Sequence, residues 1–110
     1  MARTWLCCIA LAAWGCGPQD SELCADAPVV TWNNFGDGFI TESCQPCHAS
    51  TAEARHGAPE SVTFDDYDQV LEWEDRIMAR VLDEDNPMPP QGGIDEDDRY
   101  KLEVWIGCWL

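Results

Sequence analysis

The sequence predicts a single all-α domain. Two stretches, Tyr67 to Leu82 and Asp95 to Trp109, place apolar residues at helical spacings of three and four. No stretch carries the pattern of parallel strands, and no internal repeat or low-complexity segment appears. The chain has 110 residues, room for one domain at most, and removal of a leader leaves about 90, near the lower limit for a self-sufficient core.

Met1 to Cys16 reads as an export signal. Arg3 is the charged start, and Trp5 to Trp14 is an uncharged, mostly apolar run too short to span a membrane as a stable helix. The end, Leu11-Ala12-Ala13-Trp14-Gly15-Cys16, resembles a bacterial lipobox, which makes Cys16 the candidate lipidated first residue of the mature chain. An ordinary cleaved signal or an uncleaved anchor is the alternative. The expected organisation is a signal peptide over 1–15, a polar tether over 16–29 with Pro18 and Pro28, and a folded domain over 30–110.

The domain opens with Trp32, Phe35 and Phe39 three and four residues apart, one face of a first helix. Gly36 and Gly38 weaken that helix by about 1 kcal/mol each. A glycine without a side chain would let another helix cross closely. Next comes Cys44-Gln45-Pro46-Cys47-His48, a C-x-x-C-H string. That string is the signature of covalent c-type haem attachment: each thiol bonds one vinyl group, and the following imidazole binds the iron. A thioredoxin-like pair would need a βαβ setting, and zinc would need four ligands. Only His56 and scattered cysteines are left to complete a zinc site.

Ala49 to Glu60 is irregular. A metal-bound His usually donates its other ring N–H to a carbonyl or carboxylate. The carbonyl of Pro59 or a neighbour is the candidate. Tyr67 to Leu82 is the clearest helix, with Val70, Trp73, Ile77 and Val81 on one stripe, Met78 beside them, and Asp65, Asp66 and Asp68 at its start. Helix cannot persist through Asn86-Pro87-Met88-Pro89-Pro90. Pinned between prolines, Met88 is the candidate second axial ligand, a soft thioether that suits haem iron and raises its potential. His56 and Met78 are the rivals. The closing helix has an acidic first turn and a stripe of Leu102, Trp105, Ile106 and Trp109.

Seven cysteines are many for this length. In an oxidising compartment the leftover pair, Cys24 and Cys108, suggests a disulfide joining the two ends, with free or intermolecular thiols as the alternative. Acidic residues outnumber basic ones 21 to 6, a formal charge of −15. A nucleic-acid binder needs the opposite sign. Acidity favours a soluble monomer and steering toward a basic partner.

On Cys44, Cys47 and His48, on Gly57-Ala58-Pro59 after them, on Met88-Pro89-Pro90 and on the final Leu102…Trp105-Ile106, residues 30 to 108 resemble a small monohaem class I c-type cytochrome in an exported bacterial lipoprotein form. The resemblance implies a compact helical bundle around one covalent haem c. Its first and last helices would cross near a glycine and an aromatic residue, here Gly36 or Gly38 against Trp105. It implies Cys44 and Cys47 as attachment points, His48 and Met88 as axial ligands, and Pro59 as the residue orienting His48. The expected function is electron transfer in the periplasm or cell envelope, with a redox protein of basic docking surface as partner and no enzymatic turnover. Two other readings stand beside it. An open or bis-His haem site would serve as a gas sensor or peroxidase. A haem-free, disulfide-stapled structural lipoprotein would form other disulfides and show no visible absorption.

Overall fold

A computed structural model describes residues 21–110, and all regular structure within them is helical. The expected signal peptide and the lipidation candidate Cys16 lie outside the described residues. Five α-helices follow in order: α1 (Ser21–Ala25), α2 (Asp37–Ser43), α3 (Gln45–His48), α4 (Tyr67–Val81) and α5 (Glu96–Val104). A π-helical turn, Trp32–Gly36, leads into α2, and a second, Trp105–Trp109, continues α5. No described helix is long and apolar enough to cross a membrane.

The first turn is fixed by its own side chains. Thr31 accepts from the Asn34 backbone N–H at 3.2 Å, and the Asn34 side chain accepts from the Thr31 N–H at 2.7 Å, a reciprocal capping box. Both Phe35 and Gly36 then donate to the Thr31 carbonyl at 3.0 Å, so the turn carries one extra residue before α2 begins. The expected glycine crossing is at Gly36. A Cβ built there would sit 2.7 Å from Trp105 Cη2 and Cζ2 and 3.0 Å from Trp32 Cε3, whereas a Cβ on Gly38 meets nothing within 4 Å. Trp105 is 1% exposed and packs against Trp32 and Phe35, with ring centroids 6.0 and 6.3 Å away.

The middle helix, α4, starts where Asp66 accepts from the Gln69 N–H at 3.0 Å. Val70, Ile77 and Val81 are buried on its inner face, with Trp73 and Met78 half-buried against the same core. Beyond Leu82 the Asp83 carboxylate accepts from the N–H groups of Asp85 and Asn86, and Pro87 forbids further helix. Helix α5 starts at Asp95, which accepts from the Asp98 N–H at 2.8 Å, and its Leu102 and Val104 are fully buried.

The described part of the expected tether is not free chain. Residues 21–25 form α1, and Cys24 is bonded to Cys108 across 84 residues of sequence. Leu23 packs against the core and Trp109 Nε1 donates to the Pro28 carbonyl at 3.1 Å. The folded unit therefore begins ahead of residue 30. A lone Leu in a polar run carries no periodicity, so only its packing shows it.

Two substitutions separate crowding from helix propensity. Gly36→Ala drives a methyl into the Trp105 ring and should cost about 1–3 kcal/mol in denaturant unfolding. Gly38→Ala enters open space inside α2 and should be neutral or stabilising by up to about 1 kcal/mol. Equal shifts in Tm for the two would contradict this packing. Replacing both Cys24 and Cys108 by Ser opens a loop of 84 residues and should lower stability by about 4–5 kcal/mol in the chain-entropy account. A loss under about 1 kcal/mol would mean that the bond adds little to what the packing already holds.

Candidate functional site

Helix α3 is one turn long. Cys44 ends α2 by donating to the Ile40 carbonyl at 3.0 Å, and its own carbonyl accepts from Cys47 at 3.2 Å and His48 at 2.9 Å. Pro46 sits in the first turn, where no backbone donor is needed. Spacings of three and four place Cys44, Cys47 and His48 on the same helical face. The turn is clamped from outside: Gln45 donates to the Phe64 carbonyl at 3.0 Å, and Phe64 N–H donates to the His48 carbonyl at 2.8 Å. The Phe64 ring lies 4.8 Å from the imidazole, centroid to centroid.

His48 Nδ1 lies 3.1 Å from the Val62 carbonyl oxygen. A carbonyl can only accept, so this bond requires the proton on Nδ1 and leaves the lone pair on Nε2. In the neutral ring this is the tautomer of a histidine that binds a metal through Nε2. The orienting group is thus Val62 and not Pro59. The Pro59 carbonyl is already engaged, accepting from Val62 N–H at 3.0 Å to close a turn and from Arg55 Nη2 at 2.7 Å. That turn swings the chain so that the carbonyl three residues later reaches the ring.

Arg55 was not singled out by the sequence, because a charged residue in an irregular loop reads as solvated surface. Its guanidinium donates to four main-chain carbonyls: Ala49 at 2.6 Å, Pro59 at 2.7 Å, Val62 at 3.1 Å and Ala58 at 3.3 Å.

Cys44, Cys47, His48 and Met88 line one cavity of 310 Å³. Val62, Phe64, Trp73, Ile77 and Val81 give it apolar walls, and Pro59, Pro89 and Pro90 complete them. Met88 is half-buried and held by its N–H donating to the Arg80 carbonyl at 3.1 Å. Positive φ at Gly92 (73°) and Gly93 (92°), cheap only for glycine, turns the loop back after it. Met78 does not line the cavity; it packs on the core. His56 does line it, exposed at the rim with φ 51°.

Three of the chain's six basic residues, Arg55, Arg76 and Arg80, also line this cavity. Among the described residues the ion pair is Lys101–Asp97 at 2.6 Å, so these arginines have no carboxylate partner there. Arg80 Nε is buried without a partner, and its terminal nitrogens would be met by the Asn86 side-chain oxygen, at 3.3 Å, with that amide turned over. Arg55 spends its donors on main-chain carbonyls, which leaves Arg76 and Arg80 as the cavity's guanidiniums without a carboxylate partner among the described residues.

The two cysteines are unbonded thiols. Burial, with a smaller contribution from nearby Cys47, pushes the Cys44 thiol up to about 12. A thioredoxin-like nucleophile needs the opposite, a depressed thiol. Among the described residues no group of three or more His, Cys, Asp or Glu is placed to hold a metal ion, as a structural zinc site requires. The cavity thus brings together two thiols, one imidazole and one thioether, with Arg76 and Arg80 at its border. No family model matches this chain, and neither the curated proteins nor the solved structures contain a match.

The Cys44 shift has a direct readout. With its pKa raised about three units above the usual value near 9, Cys44 in a Cys47→Ser chain should be at least about a hundredfold slower to alkylate at pH 8 than an exposed thiol, since only the thiolate reacts. Alkylation at the ordinary rate would place that sulfur in water.

Proposed function

We propose that this chain is an electron-transfer protein carrying one haem c, of the small class I c-type cytochrome kind. The observation that carries the proposal is the convergence of Cys44, Cys47, His48 and Met88 on one apolar cavity. The His48 tautomer set by the Val62 carbonyl supports it. When bound, the haem supplies a one-electron Fe(III)/Fe(II) couple. The chain's residues do the rest. Cys44 and Cys47 fix the group covalently. His48 would hold the iron through Nε2 and Met88 through its thioether, so that no ligand need exchange during electron transfer. Arg76 and Arg80 offer positive charge to the anionic edge. Phe64, Trp73, Ile77 and Val81 keep water from the ring.

The setting follows from the same proposal. The leader and Cys16 point to export and lipid attachment, hence to the periplasm or cell envelope. A charge of −15 steers a partner with a basic docking surface, and small polar redox interfaces release quickly. The protein acts as a monomeric carrier and performs no turnover of its own. His56, on the cavity rim, is the observation that favours a second reading, a bis-imidazole haem.

Visible spectra of protein made in a periplasm with haem-attachment machinery separate these readings. A sharp reduced α-band and a weak sulfur-to-iron band in the oxidised protein are expected. Met88→Ala should remove the sulfur band and let the reduced protein bind carbon monoxide, while His56→Ala leaves both features as they were. Loss of low-spin character in His56→Ala with none in Met88→Ala would establish the bis-imidazole site instead. Absence of covalent haem would sink the cytochrome proposal.

A further inference from the structure

All four hydrogen bonds of the Arg55 guanidinium go to main-chain carbonyls and none to a carboxylate. Two of those carbonyls bracket His48. Ala49 follows it in the chain, and Val62 receives its Nδ1–H. A carbonyl oxygen has two lone pairs, and at Val62 one faces the imidazole and the other faces Arg55 Nη2, each at 3.1 Å. The segment from 49 to 62 has no helix or strand to hold it. It is a run of turns, closed by Ala52 to Ala49, Ala58 to Arg55 and Val62 to Pro59. The planar fork of Arg55 ties these turns into one unit and decides where the Val62 oxygen stands.

We propose that Arg55 is a positioning residue for His48, holding the Val62 carbonyl against Nδ1 and thereby setting how strongly Nε2 donates to a haem iron. The proposal rests on the haem reading given above. A firmly held Nδ1–H bond gives the ring imidazolate character, and a stronger donor favours Fe(III) over Fe(II). Releasing the carbonyl weakens the donor and raises the reduction potential. The guanidinium charge acts in the other direction: a cation near the iron disfavours Fe(III), so removing the charge alone lowers the potential. Opposite signs make the two roles separable.

Arg55→Lys keeps the charge but loses the fork, because an ammonium is a point donor on a flexible stem. In the haem-loaded full chain, Arg55→Lys should keep its axial-ligand spectrum and shift the one-electron equilibrium about tenfold toward the reduced form, about 59 mV upward. The His48 Nδ1 proton, followed by NMR in the reduced protein, should exchange with water at least about tenfold faster than in the unaltered chain. An unchanged potential and exchange rate in Arg55→Lys overturns the proposal. A lowered potential in Arg55→Gln alongside that result would mean that Arg55 acts by charge alone. Fast exchange of the Nδ1 proton in the unaltered protein overturns it without any variant. A chain that takes up no haem fails the functional reading on its spectrum, and the same imidazole proton in that chain still tells whether Arg55 holds the Val62 carbonyl.

Discussion

The contact that the rest of this fold depends on is Gly36 against the Trp105 ring. It lets the Trp105 ring lie directly on the backbone of the entry turn. Trp105 thereby becomes fully buried and gathers Trp32 and Phe35 around it. Helix α4 lays Val70, Ile77 and Val81 against the core so formed. The disulfide from Cys24 to Cys108 fastens the same two ends a second time. With the ends fixed, the loops between α3 and α4 and between α4 and α5 are free to be shaped by the cavity they border. The frame is apolar and dense; the site is built from backbone carbonyls, turns and prolines.

That division explains what the sequence made legible. Helices α4 and α5 were readable because a continuous apolar stripe and a capping Asp mark each one. The extra residue in each π-helical turn was not, since it shifts the register without changing the apolar spacing. Gly36 and Gly38 look alike in sequence, and only the fold distinguishes the one under Trp105 from the one in open space. At the site, Cys44, Cys47 and His48 on one turn and Met88 between prolines were visible by type and spacing, and the fold brings all four to one cavity. The residues that place them were not. Val62 contributes a carbonyl that every residue has, and Arg55 acts through backbone acceptors without sequence signature. Pro59 stood close to the right place, and its carbonyl serves the turn that delivers Val62.

Charge is distributed with the same economy. An excess of acid covers the surface, yet Arg55, Arg76 and Arg80 border one cavity without pairing with it. Arg80 Nε and Arg99 Nε are both buried without a partner, and of the two arginines only Arg80 lines the cavity.

The half-buried position of Cys44 bears on how the four thiols of the described residues are sorted. Thiols pair by attack of a thiolate, so the fraction ionised sets which partners meet first. With its acidity suppressed to about 12, Cys44 almost never presents a thiolate near neutral pH. Cys24 and Cys108 lie at opposite ends of the folded unit and are brought together by the crossing of its ends. The fold thus places the terminal pair within bonding distance and leaves Cys44 and Cys47 as thiols. Of the three ways of joining the four cysteines among the described residues, the fold realises the one that closes its ends.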